Sequence, residues 1–280
     1  MSRHVRTYEE YLKLRNRIIF FMKKAILSII IATTFLLELH AQNTIITDRP
    51  TQTYGTSVLG KGAFIVETGM IFETTKLDNG DKSKVNDYGT TFLRIGAGAN
   101  IEFQIATSYG TFDPGDGGAK TTGLNPVKLG TKIHIATEKG AWPEVSFIGN
   151  ILLPWVGEED FRPDYVTPDF RFIFLHTLSD RFSLGYNLGM EWNGSTPNGA
   201  FVYTLMLGAS LVDNLGGFIE IYGNTPEGAR AQHAFDLGLT YLLSPNFQVD
   251  VSYGNNYSGV NSSFFNFGAA WQFGTTGKQE

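Results

Sequence analysis

The sequence predicts an all-β fold, a single antiparallel up-and-down β-barrel of about twelve strands that crosses a membrane. Three observations support this prediction: apolar and polar residues alternate in recurring segments, the connections alternate between short and long, and aromatic residues concentrate at the segment ends. The composition agrees, because 32 glycines and 22 phenylalanines stand beside only 18% charged residues, a balance typical of many strands and turns.

The only continuous apolar run lies near the N-terminus, in the stretch "MKKAILSIIIATTFLLELHAQ" at residues 22–42. Two lysines begin it, an apolar centre follows, and Ala41 offers a small residue for cleavage, so we expect a signal peptide over residues 22–41. A single anchoring helix is the alternative, but the run is short for a membrane span. We expect residues 1–21 to be an extension from a start codon assigned too early, with Met22 as the initiator.

Composition and charge exclude several classes of protein. Residues 42–280 carry 15 basic and 24 acidic side chains without a basic cluster, so nucleic-acid binding lacks electrostatic support. The absence of cysteine excludes disulfides, thiolate metal sites and thiol nucleophiles. A mean hydropathy of −0.09 excludes a bundle of membrane helices.

Twelve segments show the period-two alternation of a strand, and most have about ten residues, the length that a tilted strand needs to cross a bilayer. They cover residues 62–73, 87–97, 101–110, 126–136, 143–153, 169–177, 182–192, 200–211, 216–223, 233–242, 247–254 and 263–273. We therefore expect a barrel over residues 62–273, preceded by a segment at 42–61 and followed by a periplasmic tail at 274–280.

The connections between these segments alternate in length. Short turns are expected at residues 98–100, 137–141, 178–181, 212–215 and 243–246, and longer polar loops at 74–86, 111–125, 154–168, 193–199, 224–232 and 255–262. Strict alternation with an even strand count is typical of an outer-membrane barrel, whose short turns face the periplasm and whose long loops face outside. A Greek-key sandwich gives no reason for this regularity, and a lipocalin-like barrel normally needs only eight strands.

The stretch "KGAFIVETGMIFE" raises the question of orientation, because Phe64 and Phe72 share an apolar face while Glu67 and Glu73 lie on the other. A soluble sandwich would point the apolar face inward, whereas a membrane barrel points it at lipid. Barrel closure also pairs every backbone N–H and C=O within the hydrocarbon region. Aromatic residues at both segment ends match the two interfacial girdles of such barrels. We therefore predict that the apolar faces point outward and the glutamates line the lumen.

A set of polar residues at mid-height of the lumen forms the candidate permeation site. Its members are Glu67, Arg94, Gln104, Lys132, Arg171, Asn187, Glu220, Asp236 and Asp250. A charge in a narrow interior is costly unless it is paired, so one interpretation is a salt-bridge network that props the barrel walls. The other is a constriction that sorts permeants by charge. The segment at 42–61 could lie in the periplasm or fold into the lumen as a plug, with Asp48, Arg49 and Pro50 as the candidate docking residues.

Catalytic and metal-binding motifs are absent from the sequence. It contains neither a G-x-S-x-G elbow nor an H-E-x-x-H helix, and we interpret His134 as a hydrogen-bonded lumen residue. The acidic runs at 113–118 and 158–160 are interpreted as solvated loops. We expect no catalytic residue, no metal and no cofactor, although a membrane-embedded hydrolase with a hidden His–Ser–acid arrangement stays an alternative.

Several motifs resemble one family. The motifs "TDRPTQT", "GAFIVETGMIFE", "LSDRFSLGYNLGMEW" and "DLGLTYLLSPNFQVDVSYG" occur in order, and the likeness covers residues 42–280. The sequence resembles Gram-negative outer-membrane β-barrel proteins labelled transporter-like or "putative MetA-pathway of phenol degradation". It departs from their pattern in "LPWVG" at 153–157, where a small residue and then glycine are expected after the proline.

The resemblance implies an outer-membrane barrel that gives passive or facilitated passage to a small solute, hydrophobic or aromatic ones included, through a narrow polar lumen. The expected partners are outer-membrane lipids, the small-molecule permeant and the barrel-assembly machinery. A plugged structural or surface-interaction barrel that acts through its loops is the alternative from a different class.

Overall fold

The structure, a computed structural model, describes residues 44–274, which form one closed sheet. Its strands are β1 (Phe64–Lys76), β2 (Lys82–Gly96), β3 (Ile101–Thr107), β4 (Tyr109–Asp113), β5 (Thr121–Leu124), β6 (Val127–Ala136), β7 (Glu144–Leu153), β8 (Pro168–Thr177), β9 (Phe182–Glu191), β10 (Ala200–Val212), β11 (Leu215–Pro226), β12 (Gln232–Ser244), β13 (Phe247–Ser258) and β14 (Asn261–Phe273). A single 3₁₀ turn, η1 (Glu159–Phe161), lies in the loop after β7. Within residues 44–274 no helix is long and apolar enough to span a bilayer. The predicted extension, the signal peptide and residues 275–280 of the predicted tail lie outside the described residues.

The strands close into a twelve-stranded antiparallel barrel, as predicted. Strand β1 pairs with β2 on one side and with β14 on the other, which closes the barrel. Strands β3 and β4 continue each other along β2, and they pair with β6 and β5 respectively. These four segments are therefore two interrupted transmembrane strands. The strand made of β5 and β6 is interrupted at Pro126, which has no N–H to donate to a ladder.

The two faces of the barrel are oriented as the sequence predicts. Outward-pointing side chains are apolar and exposed, for example Ile219 at 60% and Phe103 at 50%, whereas Glu67 and Arg94 point inward and are fully buried. Such a continuous belt of exposed apolar side chains would be an aggregation hazard in water. In a membrane it faces acyl chains, so the prediction of a lipid-facing apolar surface is confirmed.

Aromatic side chains pack in pairs at both ends of the strands. At the end with the short turns, Phe64 stacks on Phe273 with ring centroids 4.6 Å apart. At the end with the loops, Phe170 and Trp192 lie 6.3 Å apart. These positions suit the two membrane interfaces, where amphipathic and bulky rings are favoured.

Four of the predicted long loops are shorter in the structure than expected. The connections span only residues 77–81 between β1 and β2, 114–120 between β4 and β5, 227–231 between β11 and β12, and 259–260 between β13 and β14, because strands extend into the predicted loops. Beyond the hydrocarbon region both faces of a strand meet water, so polar residues there no longer indicate a loop. The loop at 154–167, between β7 and β8, keeps its predicted length.

Apolar residues also line part of the interior at the turn end. Ile45 and Leu59, which precede β1, pack with Ala63, Ile65 and Ala270 in a small buried cluster. This contact fixes both ends of residues 45–59 to the barrel wall and leaves the stretch between them inside the lumen.

Candidate functional site

Residues 44–60, called the N-terminal segment from here on, lie in the lumen and have no regular secondary structure. Its backbone N–H groups therefore need partners other than a helix or strand ladder, and inward-facing side chains of the wall supply them. The bonds run from Asp48 N to Glu67 Oε1 (3.2 Å), Gln52 N to Glu220 Oε1 (2.6 Å), Thr53 N to Glu220 Oε2 (3.0 Å), Tyr54 N to Asn187 Oδ1 (2.8 Å) and Leu59 N to Glu102 Oε2 (2.8 Å). Four of these five acceptors are carboxylate oxygens, which accept stronger hydrogen bonds than neutral groups do, so these contacts hold the segment across the barrel.

A fully buried ionic cluster anchors one side of the segment. Its five members are Arg94, Lys132, Asp48, Glu67 and Glu102. The Arg94 guanidinium donates two parallel bonds to Glu102, at 2.8 and 2.9 Å, and a third to Glu67 at 3.3 Å. Lys132 Nζ donates to both carboxylate oxygens of Asp48, at 2.6 and 2.9 Å. Buried charges are tolerated when they are paired in this way.

The importance of Glu102 is not apparent from the sequence. Gln104, not Glu102, lies directly opposite Arg94 in the β2–β3 register, and its Nε2 donates to Glu102 at 2.7 Å. Glu102 faces Gly96 across the ladder, and the backbone of Leu59 and Gly60 occupies the space that a side chain at position 96 would take. The available signal was the position of Glu102 two residues before Gln104, on the same inward face of β3.

Arg49 occupies a slot formed by two glycines. Its Nη2 donates to Asp250 Oδ1 at 3.1 Å and to Asn266 Oδ1 at 2.7 Å. The slot lies over Gly69 and Gly268, which face each other across β1 and β14, and a Cβ at either position would collide with the guanidinium. The glycines thus let Arg49 lie flat against the wall. The peptide bond that follows it, to Pro50, is cis.

Arg171 contacts the segment through an aromatic ring. Its guanidinium pairs with Asp169 at 3.2 Å and Glu191 at 3.0 Å, and lies 5.4 Å from the centre of the Tyr54 ring, within the range of a cation–π interaction. Burial raises the pKa of the Tyr54 hydroxyl, so this ring stays neutral at physiological pH. Asn187 donates to Tyr54 O at 3.2 Å in addition to accepting from its N–H.

Glu220 and Asp236 form a second carboxylate group on the far side of the lumen. They face each other across β11 and β12. Glu220 also accepts a bond from Thr53 Oγ1 at 2.6 Å, in addition to those from the Gln52 and Thr53 N–H groups. Asp236 is 1% exposed, and among residues 44–274 neither of its carboxylate oxygens has a hydrogen-bond partner. All nine candidate lumen residues thus point inward, while their role in permeation stays a prediction.

His134 lies near a serine and an acid, but their geometry does not suit nucleophilic catalysis. Its Nδ1 is 3.5 Å from Ser146 Oγ and 3.6 Å from Glu144 Oε1. A catalytic triad uses one imidazole nitrogen for the nucleophile and the other for the acid. Here both groups approach the same nitrogen, and the Ser146 hydroxyl donates to Thr56 O. Among the described residues, no group of three or more His, Asp or Glu side chains is arranged to hold a metal ion.

Among residues 44–274, two cavities lie beside the N-terminal segment on its β9–β13 side. The larger, about 590 Å³, lies toward the turn end, where the segment faces Met206, Gly208, Phe218 and Thr240. The smaller, about 190 Å³, lies toward the loop end and has Tyr222 among its lining residues. Gln52 lines the smaller cavity and Thr51 and Thr53 line the larger one. The cavities are therefore separated at the contact between the segment and Glu220.

Solved structures share this architecture. An outer membrane channel from Pseudomonas putida F1 matches with a TM-score of 0.67 and 12% identity, over 80% of this chain and 100% of that chain. The KdgM porin in complex with disordered oligogalacturonate matches with a TM-score of 0.51 and 8% identity, over 74% of this chain and 99% of that one. The NanC porin matches with a TM-score of 0.51 and 6% identity, over 74% of this chain and 98% of that one. At such identities the likeness shows the fold, that of porin-like outer-membrane barrels.

The sequence comparisons name the family. No curated protein matches the chain. A family model described as "Putative MetA-pathway of phenol degradation" matches residues 47–273, which include the N-terminal segment from Thr47 onward and the whole barrel. The chain, an outer-membrane β-barrel, therefore belongs to the "Putative MetA-pathway of phenol degradation" family.

Proposed function

We propose that this barrel gives passage to a small solute along one side of its lumen, between the N-terminal segment and strands β9–β13. The observation that carries the proposal is the pair of cavities that approach the same contact from opposite ends, with Gln52 facing one and Thr53 the other. A displacement of this short stretch away from Glu220 would join them into one path.

The composition of the two sides supports this route. On the β1–β6 side the ionic cluster fills the space between wall and segment. On the other side the wall carries small residues, including Gly208, Ser210 and Gly216, next to the larger cavity. Because these residues have no side chain or only a short one, the wall leaves room here that a long side chain would fill. Twelve strands also lie between the filled eight-stranded barrels and the open sixteen-stranded porins, which favours a narrow path.

The lining of the larger cavity indicates an amphipathic permeant. Ile45, Met206 and Phe218 supply apolar surface, and Thr53 and Thr240 supply hydroxyl groups. A cavity of about 590 Å³ is of the size that takes up small organic molecules. An aromatic ring with one or two polar substituents fits this lining, in agreement with the mention of phenol degradation in the family description.

A reversible crosslink tests the proposal. The chain has no cysteine, and Thr53 Oγ1 lies 2.8 Å from Thr204 Oγ1. The double variant Thr53→Cys/Thr204→Cys would form a disulfide that holds the segment against β10. We expect single-channel conductance and liposome swelling from the wild type, loss of most of both in the oxidised double variant, and recovery with a reductant.

The single variant Thr204→Cys, treated with the same oxidant, is the matched control and should conduct as the wild type does. A wild-type barrel that shows neither conductance nor solute flux would contradict the proposal, above all if deletion of residues 44–60 restored neither.

The hydrogen bonds across the lumen favour a second candidate, a plugged structural barrel. Five backbone N–H groups of the segment are bonded to the wall, which is enough to fix a permanent plug. The loop at 154–167, the longest connection among the described residues, would then be the functional surface. The swelling and deletion experiments separate this candidate from passage of a solute.

A further inference from the structure

We infer that the lumen wall beside Arg171 and Lys132 forms a binding site for one aromatic ring. The N-terminal segment occupies this site with Tyr54, and a ring of the same size on the permeant takes it when the segment moves. The inference rests on the proposed function and adds to it the place where the permeant is recognised. The room for such a ligand is the space that the Tyr54 ring itself fills.

Two cations lie over the Tyr54 ring. The Arg171 guanidinium is 5.4 Å and Lys132 Nζ is 6.0 Å from the ring centroid, both within the range of a cation–π interaction. Among the aromatic rings of residues 44–274, Tyr54 alone has contacts of this kind with cations of the same stretch. The attraction is to the π electrons of the ring, so these cations favour an aromatic molecule over a saturated one of the same size.

The cations do not depend on Tyr54 for their positions. Arg171 is held by two carboxylates of the wall, Asp169 at 3.2 Å and Glu191 at 3.0 Å. Lys132 is fixed by its ion pairs within the buried ionic cluster. Removal of the ring therefore uncovers a site that is already formed, and a preformed site loses little conformational entropy when it binds a ligand.

The site can be reached from the loop end of the barrel. Arg171 and Gln52 both line the smaller cavity, so a solute that enters this cavity meets the guanidinium. Tyr54 is partly exposed and directly follows Thr53 in the sequence. A ring that takes the place of Tyr54 therefore displaces the stretch that separates the two cavities. Binding of the permeant is in this way coupled to opening of the path.

The main-chain contacts of Tyr54 indicate a hydroxyl group on the permeant. The Asn187 side chain accepts a bond from Tyr54 N at 2.8 Å and donates one to Tyr54 O at 3.2 Å. Displacement of Tyr54 leaves this buried amide without partners, which is unfavourable unless the permeant replaces them. A hydroxyl group can both donate and accept. The site therefore suits a single aromatic ring that carries a hydroxyl group.

Replacement of Tyr54 by alanine tests the inference, with 4-methylphenol, the equivalent of a tyrosine side chain, as the probe. Tyr54→Ala keeps the backbone bonds to Asn187 and empties the ring site. We expect calorimetry in detergent solution to show that this variant binds 4-methylphenol, and that it binds 4-methylcyclohexanol roughly fivefold more weakly. That ratio corresponds to a cation–π contribution of about 1 kcal/mol. The wild type, whose own ring fills the site, should bind 4-methylphenol more weakly than Tyr54→Ala does.

Phe264→Ala is the matched control. Phe264 also places a ring against the inner face of the barrel, over Gly254, but no cation of residues 44–274 lies over that ring. This variant should bind 4-methylphenol no better than the wild type. If Tyr54→Ala does not fold, Tyr54→Leu takes its place, because leucine keeps apolar contacts and has no π electrons. Equal affinity of the Tyr54 variant for the two probes, or equal binding of 4-methylphenol by the Tyr54 and Phe264 variants, overturns the site.

The outcomes separate this inference from the proposed function, because binding in detergent solution requires no passage of solute. If the wild type does not conduct, the proposed function fails and the binding comparison still decides the site. If the wild type conducts and the Tyr54 variant shows no preference for the aromatic probe, the site is overturned and the passage is not.

Discussion

The N-terminal segment makes different kinds of contact with the two sides of the lumen. On the β1–β6 side, two cations and three carboxylates form a dry network that includes Asp48 from the segment. On the β9–β13 side, small residues leave cavities, and one carboxylate, that of Glu220, binds the backbone N–H groups of Gln52 and Thr53. A buried ionic network resists movement because each charge loses its partner when another moves. A contact of few hydrogen bonds next to open space can be broken and remade.

This difference suggests that one side anchors the segment and the other is where it moves. Arg49 adds an anchor at the boundary between the two sides, since it connects the segment to Asp250 on β13 and Asn266 on β14 through a slot between two glycines. Gln52 and Thr53 belong to the movable part, because their partner Glu220 lies between the two cavities. Three substitutions test this division, in order of decreasing effect on stability.

Arg94→Met should have the largest effect, because it removes the central cation of the anchor. Glu67 and Glu102 would then be buried with Lys132 as the nearest cation, and breaking a buried pair in this way costs about 3–5 kcal/mol. We expect a much lower unfolding temperature, measured by the heat-dependent mobility shift of the folded barrel on gels. Arg230→Met, in an exposed loop, is the control. Equal melting of both variants would show that the anchor does not stabilise the barrel.

Gly69→Ala should loosen the anchor without removing a charge. Its new Cβ would overlap the Arg49 guanidinium and push it out of the slot, and such overpacking costs about 1–3 kcal/mol. We expect moderate destabilisation together with higher single-channel conductance, because the segment loses its contacts with Asp250 and Asn266. Gly89→Ala is the matched control, since a Cβ there meets nothing within 4 Å. Destabilisation by both substitutions would point to a general need for glycine, and not to the slot.

Ser146→Ala should have the smallest effect. It removes the hydroxyl that donates to Thr56 O, a loss of about 1 kcal/mol. We expect a small drop in unfolding temperature and unchanged conductance, since this bond lies on the anchored side. Loss of a lipase or protease activity in this variant or in His134→Gln would instead support the hydrolase alternative. Ser183→Ala, at the turn end of β9, tests whether removal of any inward hydroxyl has the same effect.

The strand count, the two faces and the closure could be predicted from the sequence because a local rule governs them. Side chains alternate between the two faces of a strand. The face on which a residue such as Phe103 or Gln104 lies can therefore be predicted without knowing which strand pairs with it. The same rule failed above the membrane, where residues 82–86 were interpreted as loop but continue β2. Their polarity indicates that both faces of the chain meet water, and this is true of a strand and of a loop alike.

The contacts of the lumen could not be predicted in this way. The sequence indicates that Arg94 and Asp250 face the interior and leaves the location of Arg49 open, but it does not indicate which charges meet. Arg49 and Asp250 are 201 positions apart and come together only because β1 closes on β14. Glu102 shows the same limit, since its bond to Arg94 depends on the diagonal geometry of one ladder.

That this chain forms a membrane barrel follows from its sequence alone, since period two, strand length and an apolar outer face are properties of single strands. The location of residues 44–60, and which carboxylates pair with a cation, follow only from the folded barrel. Every wall strand contributes to the lumen, so the energy of each charge there depends on groups that closure brings from distant parts of the chain.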